Sequence, residues 1–388
     1  MSLGTPRVTV AMITYNHEQY VAEAISSILG QTYRDFELVI VDDGSTDRTP
    51  EVIRNFRDER IRYVRQENQG PSAARNTALR EAHGEFIAQM SGDDVAEPNR
   101  LARQVDVLEE PKDRVLFADM VVIDEDGHPR NDTHDSADSS AAITSVGVTA
   151  DPRRMANRPR TEILRHLFSE GCCLRAPTAF AAREVFESVG GYDVLMLQVQ
   201  DWDMWTRLLL NGVVPQTVPE PLLRYRIRAG QGNLSAPTDA AVARGFFEVK
   251  RMLRAYRRIA SVAELRSIFP EVDRLHYRLE DEFTPFYLAL LAIRNEGRNR
   301  VTEFFGGDLL LELMADPGFR ARIGERLGFR LPDLFRILGT TDPRSKREIE
   351  SALAAITRSR SWRLTRPLRT LSAFGARLGS RADRPSPR

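Results

Sequence analysis

The sequence predicts an α/β fold: an open, mostly parallel sheet with helices on both faces, followed by an all-α region. Three observations predict it. Short β-rich runs alternate with segments of helical period through the first 110 residues. Polar turns close the first, second and fourth of those runs, which groups them at the carboxyl edge of the sheet, where ligands of such folds bind. Beyond Pro237 the β-rich runs stop and only helical patterns remain.

In chain order, Val8–Ile13 is β-rich and ends at the turn Thr14-Tyr15-Asn16. Tyr20, Ala24, Ile25 and Ile28 then recur at helical spacing. Phe36–Val41 is a second strand, closed by Asp42-Asp43-Gly44-Ser45, and Thr49–Phe56 is a helix. Ile61–Val64 is a third strand. Ser72–His83 is helical with Gly84 as its stop, and a fourth strand starts at Phe86. Val115–Ile123 is another strand. From Glu125 to about Arg160 the chain is polar with little periodicity, which predicts a long excursion of the lid or recognition type. Order returns at Thr161: Ala179–Ala182 is a strand, Glu184–Val189 a short helix, Asp201–Leu210 a helix ended by Gly212, and Leu222–Ile227 a strand. A loop from Arg228 to Pro237 closes this region.

The expected division is therefore 1–236 as the α/β domain, 237–343 as a helical domain and 344–388 as a basic segment and tail. The predicted helices are Ala240–Ile259, Val262–Ile268, Leu275–Ile293, Val301–Met314, Phe319–Leu327 and Ser345–Ile356. From Arg344 onward twelve Lys/Arg face three Asp/Glu, a net of +9, in a stretch that composition marks as disordered at its end.

Bulk chemistry excludes some classes. Lys plus Arg equals Asp plus Glu at 55 each, so no net charge draws the chain to nucleic acid. The two cysteines, Cys172 and Cys173, are neighbours without CxxC spacing, which fits a reducing compartment. The first six residues lack the regions of a signal peptide, and the longest apolar run, Phe286–Ile293, is too short to span a membrane. No GxGxxG follows the first strand and no GxxxxGK[ST] occurs.

Candidate site residues lie on the polar turns. Ser91-Gly92-Asp93-Asp94 ends the fourth strand, and two adjacent carboxylates repel each other unless a cation relieves them. Two readings stand: a divalent-cation site that neutralises a pyrophosphate, or a solvated turn that caps the helix near Pro98. Tyr15 offers a face for a planar base or is an edge aromatic. Asp43 can accept an imide N–H from uracil or thymine, or can form an Asx turn with Gly44. Arg75 contacts a nucleotide or makes a surface ion pair. Asp201 is a general base for an acceptor hydroxyl or a helix N-cap, with Trp202 available to stack on a sugar ring and Trp205 in the core. Base, base and phosphate sites following one another along a single sheet edge strengthen the functional reading.

These residues resemble a known family. Val8-Thr-Val-Ala-Met-Ile-Thr-Tyr-Asn, the run from Ala24 through Val41-Asp-Asp-Gly-Ser-Thr-Asp, Asn68-Gln-Gly-Pro-Ser-Ala-Ala-Arg-Asn, Ser91-Gly-Asp-Asp, Gly190-Gly-Tyr-Asp and Gln200-Asp-Trp-Asp-Met-Trp look like family 2 glycosyltransferases of GT-A fold. The likeness covers residues 7–235. It implies an inverting transfer of a sugar from a nucleoside-diphosphate donor, of uridine or thymidine type, to a hydroxyl, with Mg²⁺ or Mn²⁺. Carried over, Tyr15 and Asp43 hold the base, Asp93 binds the metal with Asp94 beside it, and Asp201 is the general base. Three departures stand out: Ser91 at the first Asp of DXD, Gln200 at the Glu of ED, and Arg228 where many relatives carry a metal-touching His. An Arg there can pair with the diphosphate directly.

Ser361-Trp-Arg-Leu-Thr-Arg-Pro-Leu-Arg is similar to a C-terminal element of bacterial enzymes that build surface polysaccharide. It can dock on an anionic membrane or be a solvated basic helix. The expectation is a cytoplasmic enzyme, peripheral at the inner face of the membrane, acting on a glycan or lipid-linked acceptor and not on nucleic acid. Two rivals remain: a degenerate relative that binds nucleotide-sugar without turnover, and a nucleotidyltransferase.

Overall fold

The computed structural model of the chain describes residues 5–108, 113–130, 155–228, 233–234, 238–294 and 300–340. Most of the predicted 125–160 excursion and all of the 344–388 segment, with the Ser345–Ile356 helix, lie outside the described residues. Two compact units are formed, Met1–Leu331 and Pro332–Arg388.

The first unit is built on an eight-stranded mixed sheet in the order β3-β2-β1-β4-β7-β6-β8-β5. The strands are β1 Val8–Thr14, β2 Phe36–Asp42, β3 Ile61–Arg65, β4 Phe86–Ser91, β5 Val95–Ala96, β6 Arg114–Ile123, β7 Phe180–Ala182 and β8 Val214–Arg226. β1 pairs in parallel with β2 and β4, and β2 with β3. The three residues of β7 run antiparallel to both β4 and β6, while β6 and β8 are parallel to each other. β1 and β2 are buried along almost their whole length, so they read as continuous apolar runs, as strands covered on both faces do.

Between the strands lie α1 Val21–Leu29, α2 Thr49–Arg54, α3 Pro71–Glu81, α4 Arg100–Val107, α5 Arg160–Ser169, α6 Arg183–Glu187 and α7 Gln200–Leu210. α1 buries Val21, Ala24, Ile25 and Ile28, one stripe at helical spacing. α3 opens with Pro71 at its first turn, where the missing N–H costs nothing.

Beyond the sheet come α8 Asp239–Leu253, α9 Val262–Ile268, α10 Thr284–Ile293, α11 Arg300–Ala315 and α12 Pro317–Leu327. They share a core with α5: the Phe168 ring meets Tyr256, Phe269 and Phe305 edge-on, and the Tyr256 hydroxyl donates to the Leu164 carbonyl. α13, Leu331–Thr340, falls in the second unit from Pro332 onward. Among the described residues no helix is long and apolar enough to cross a membrane.

Three expectations change. The predicted helix Leu275–Ile293 is interrupted: a 3₁₀ turn ends at Leu275, His276 adopts φ 58°, and α10 starts only at Thr284. The predicted helix Ala240–Ile259 is α-helical only to Leu253 and then tightens into a 3₁₀ turn. β8 begins eight residues before Leu222: Pro215, Pro219 and Pro221 break its apolar pattern, yet Pro215 pairs in register with Val115, and Pro219 and Pro221 are accommodated at a register shift opposite Ala118–Met120.

Candidate active site

The carboxyl ends of β1, β2, β4 and β8 open into one cavity of about 600 Å³. Tyr15, Asp43, Arg75, Ser91, Asp93, Asp94, Asp201 and Arg228 all line it. Trp202 does not. Its indole is fully buried and its Nε1 donates to the Leu167 carbonyl at 3.1 Å. The expectation of sugar stacking on Trp202 is therefore corrected: adjacent residues on a helix point about 100° apart, so only one of the Asp201/Trp202 pair faces the pocket.

At one end Tyr15 is 43% exposed just past β1. Asp43, nearly buried, accepts from Gln66 Nε2 at 2.7 Å, from the Gln69 N–H at 3.0 Å and from the Gly70 N–H at 2.8 Å. Its carboxylate thus first fixes the 66–70 loop, and the Asx turn with Gly44 is not what it forms. Gly44 has φ 78° and a Cβ there would lie 2.7 Å from the Asn68 nitrogen, so that turn requires glycine.

At the acidic loop, Ser91 Oγ donates to Asp93 Oδ1 at 2.5 Å. Asp93 Oδ2 faces His17 Nε2 at 3.6 Å and Arg228 Nε at 3.3 Å. The Arg228 contact is a charge pair without an aligned hydrogen bond, since that Nε is buried with no hydrogen-bond partner. Asn233 fixes Arg228 by accepting its backbone N–H at 2.7 Å. Asp94 Oδ1 accepts the Arg226 N–H at 3.0 Å, while its Oδ2 is buried with no partner. Burial pushes the Asp94 carboxyl well above the usual range and the Asp93 charge adds to that, against the Arg226 N–H, Arg100 and Arg226. Burial likewise lowers His17, with Asp93 opposing. Gly92 lets the loop close on β1: a Cβ would sit 2.6 Å from Thr14 Oγ1 and 3.0 Å from His17 Nδ1.

Sequence reasoning missed the residue that holds this loop. Arg226, at the end of β8 and fully buried, donates from Nε to the Asp93 carbonyl at 2.9 Å. Its Nη1 reaches the Asp124 and Glu125 carbonyls at 3.2 and 2.8 Å, its Nη2 reaches Glu23 Oε2 at 2.6 Å, and Tyr20 lies over its guanidinium. Arg100 is the second buried guanidinium, bonded to the Gln89 and Pro177 carbonyls, and burial lowers it to about 10. Arg226 has no signal in local sequence, since its partners lie far away in the chain; Arg100 stands in the family-like stretch after Pro98, but its bond to the Pro177 carbonyl is equally remote.

At the other end, Asp201 in the first turn of α7 accepts its neighbour's N–H, from Trp202 at 2.8 Å, rather than capping the helix. Glu248 of α8 supports that helix start by accepting the Gln198 and Val199 N–H groups. Burial raises the Asp201 carboxyl, while the Trp202 N–H and the Arg75 charge lower it. Arg75 is held by Gln89 Oε1 at 2.9 Å and lies over the Tyr192 ring, and its buried Nε has no hydrogen-bond partner. Asp203 pairs with Arg207 at 2.7 Å, and Trp205 packs on Phe117 in the core.

The donor set fits a hard cation. The orphaned Asp94 oxygen, Asp93 Oδ2 and the Ser91 hydroxyl are oxygen ligands of the kind Mg²⁺ or Mn²⁺ takes. A different group, Asp124, Asp126 and His128, lies on the exposed turn after β6, where the Asp124 carboxylate already takes the Asp126 and His128 N–H groups.

A mixed sheet with an acidic loop and a carboxylate base candidate on one carboxyl-edge pocket describes a transferase-type α/β domain. The sequence model of glycosyl transferase family 2 matches residues 9–190. An uncharacterized glycosyltransferase from Methanocaldococcus jannaschii is 31% identical over 231 residues, 58% of this chain and 72% of that protein. Those from Rickettsia felis and Rickettsia conorii are 30% and 31% identical over 238 and 231 residues, 60% and 58% of this chain. The chain spans about a third of the length of these two Rickettsia relatives, 36% and 35%. Among solved structures, S. aureus TarS in complex with UDP is similar with TM-score 0.48 and 18% identity, over 86% of this chain and 92% of that one. The chain belongs to glycosyl transferase family 2, and its sheet with helices on both faces is of the GT-A type.

Proposed function

We propose that the protein is an inverting glycosyltransferase that moves a sugar from a uridine or thymidine diphosphate donor to a hydroxyl of a glycan or lipid-linked acceptor. The observation that carries this is the convergence of Asp201, Arg75, Asp93 and Arg228 on one pocket whose far end holds Tyr15 and Asp43. Tyr15 stacks on the base, and the Asp43 oxygen with one protein partner accepts its imide N–H. Arg228 and Arg75, each with a buried Nε lacking a hydrogen-bond partner, meet the diphosphate. Asp201 takes the acceptor proton as the hydroxyl oxygen bonds to the anomeric carbon. The bond from that carbon to the diphosphate oxygen breaks on the opposite face, and the nucleoside diphosphate leaves with its electron pair. A raised carboxyl makes Asp201 a stronger base than an ordinary aspartate. A divalent cation held by Asp93 and Asp94 would neutralise charge on the departing diphosphate.

A second reading, nucleotide-sugar binding without turnover, draws on the Arg228 guanidinium lying against Asp93. Nucleoside-diphosphate release from a panel of uridine and thymidine diphosphate sugars tests both. Turnover that disappears in Asp93→Ala and Asp201→Asn supports the transferase. Donor binding without turnover on any acceptor supports the second reading.

A further inference from the structure

We propose that the outer face of α8, with the turn at residues 193–195, is a docking surface for an anionic bilayer. Arg244, Phe247, Arg251, Arg254 and Arg258 follow one another at intervals of three and four along α8 and the 3₁₀ turn after it, and all five are exposed. That spacing forms one stripe on a helix. The opposite face is buried through Ala241, Val249 and Met252, so the stripe is the solvent side of an anchored helix.

Charge and apolarity are both present on it. Lys250 pairs with Asp308, Arg251 with Asp193 and Arg257 with Glu312. Arg244, Arg254 and Arg258 have no acidic partner among the described residues. Phe247, in the middle of the stripe, is 72% exposed, whereas a phenyl ring in a soluble surface normally finds cover. The Arg251–Asp193 contact, at 2.8 Å, ties the 193–195 turn to the stripe. The next two residues of that turn, Val194 and Leu195, are 58% and 65% exposed. Phe247 between Arg244 and Arg251 on the stripe, with Val194 and Leu195 on the turn tied to it, matches a leaflet that offers anionic headgroups over an acyl interior. An acidic protein surface would account for the arginines but not for the protruding Phe247 and Leu195.

Location gives the surface a use. Two residues beyond Leu195, Leu197 and Gln198 line the pocket, so docking sets the pocket mouth near the headgroup layer. There a lipid-linked hydroxyl can reach Asp201. That consequence rests on the transferase reading; the docking itself does not.

The test is co-sedimentation of the full chain with phosphatidylcholine vesicles, with and without phosphatidylglycerol. We expect binding only when phosphatidylglycerol is present. Affinity should fall on the order of 100-fold in R244Q/R254Q/R258Q and about tenfold in L195S/F247S, with melting temperature and UDP binding unchanged. Absence of wild-type binding to the anionic vesicles overturns the proposal. Wild-type-like binding by both variants also overturns it, placing the contact elsewhere, such as the basic 344–388 segment. Equally tight binding to soluble polyglutamate overturns it too, because the apolar anchors would then contribute nothing. UDP binding lost in the wild type would count against the transferase reading alone.

Discussion

Replacing Arg228 with Ala separates the two cations that compete for Asp93. Arg228 Nε lies 3.3 Å from Asp93 Oδ2, with 19% and 9% of the two side chains exposed. At an effective dielectric of about 20 the gross attraction is about 5 kcal/mol. Desolvation takes back most of it, and an ion pair without an aligned hydrogen bond nets about 1 kcal/mol. A divalent ion that uses Asp93 Oδ2 must displace the guanidinium, so Arg228→Ala should tighten Mn²⁺ binding by about fivefold, at 1.4 kcal/mol per decade. The diphosphate should respond in the opposite direction. Without metal it loses one charge-assisted partner, and UDP affinity in chelator should fall about 10- to 100-fold. Calorimetric titration of wild type and variant with Mn²⁺, and separately with UDP plus EDTA, reads both numbers. Weaker Mn²⁺ binding in the variant would refute the competition, because it would make Arg228 an organiser of the metal site. Unchanged metal-free UDP binding would refute the role of Arg228 on the diphosphate.

Asp201→Asn keeps the shape of the side chain and removes the base, so kcat should drop about 10²- to 10⁴-fold with donor affinity retained. The raised Asp201 carboxyl must be ionised to act, so kcat/KM should fall as pH drops through a value above the ordinary carboxylate range. Arg75→Ala removes a charge that lowers Asp201, and that acid limb should move to higher pH; a limb that stays put separates Arg75 from the base. Arg226→Met strands the Asp93, Asp124 and Glu125 carbonyls and should cost about 3–5 kcal/mol in urea unfolding, together with UDP binding. Trp202→Phe leaves a void and an unpartnered Leu167 carbonyl, which should lower stability by about 1–3 kcal/mol while acceptor KM stays unchanged. A raised KM with unaltered stability would restore the stacking role.

The part of the fold that sequence made readable is the part stabilised locally. β1, β2 and β4 are short apolar runs bounded by Asp, Gly or Asn, and their observed ends differ from the expected ones by a single residue. β8 reads short in sequence because proline-free apolar runs are what a strand pattern detects, and residues 214–221 carry three prolines and few buried side chains. The interrupted Leu275–Ile293 segment failed for a tertiary reason. Its Tyr287 hydroxyl donates to the Arg278 carbonyl and accepts the Glu280 N–H, which holds residues 278–280 out of a helix that their composition permits.

The same distinction governs the site. Tyr15, Asp43, Asp93 and Asp201 were legible because each stands where a strand ends or a helix begins. The residues that decide how those groups behave were not. Arg226 reaches Glu23 across 203 positions and Asp93 across 133, and Arg100 reaches the Pro177 carbonyl across 77. Two buried guanidinium groups therefore stand beneath the acidic loop, and Arg228 stands in front of it. The cation that the paired aspartates demand is supplied in part by the protein's own arginines, on both sides. On the proposed transferase reading, a divalent ion that used Asp93 Oδ2 would have to move Arg228 away from it, toward the diphosphate, so metal binding and leaving-group contact would be two positions of one side chain.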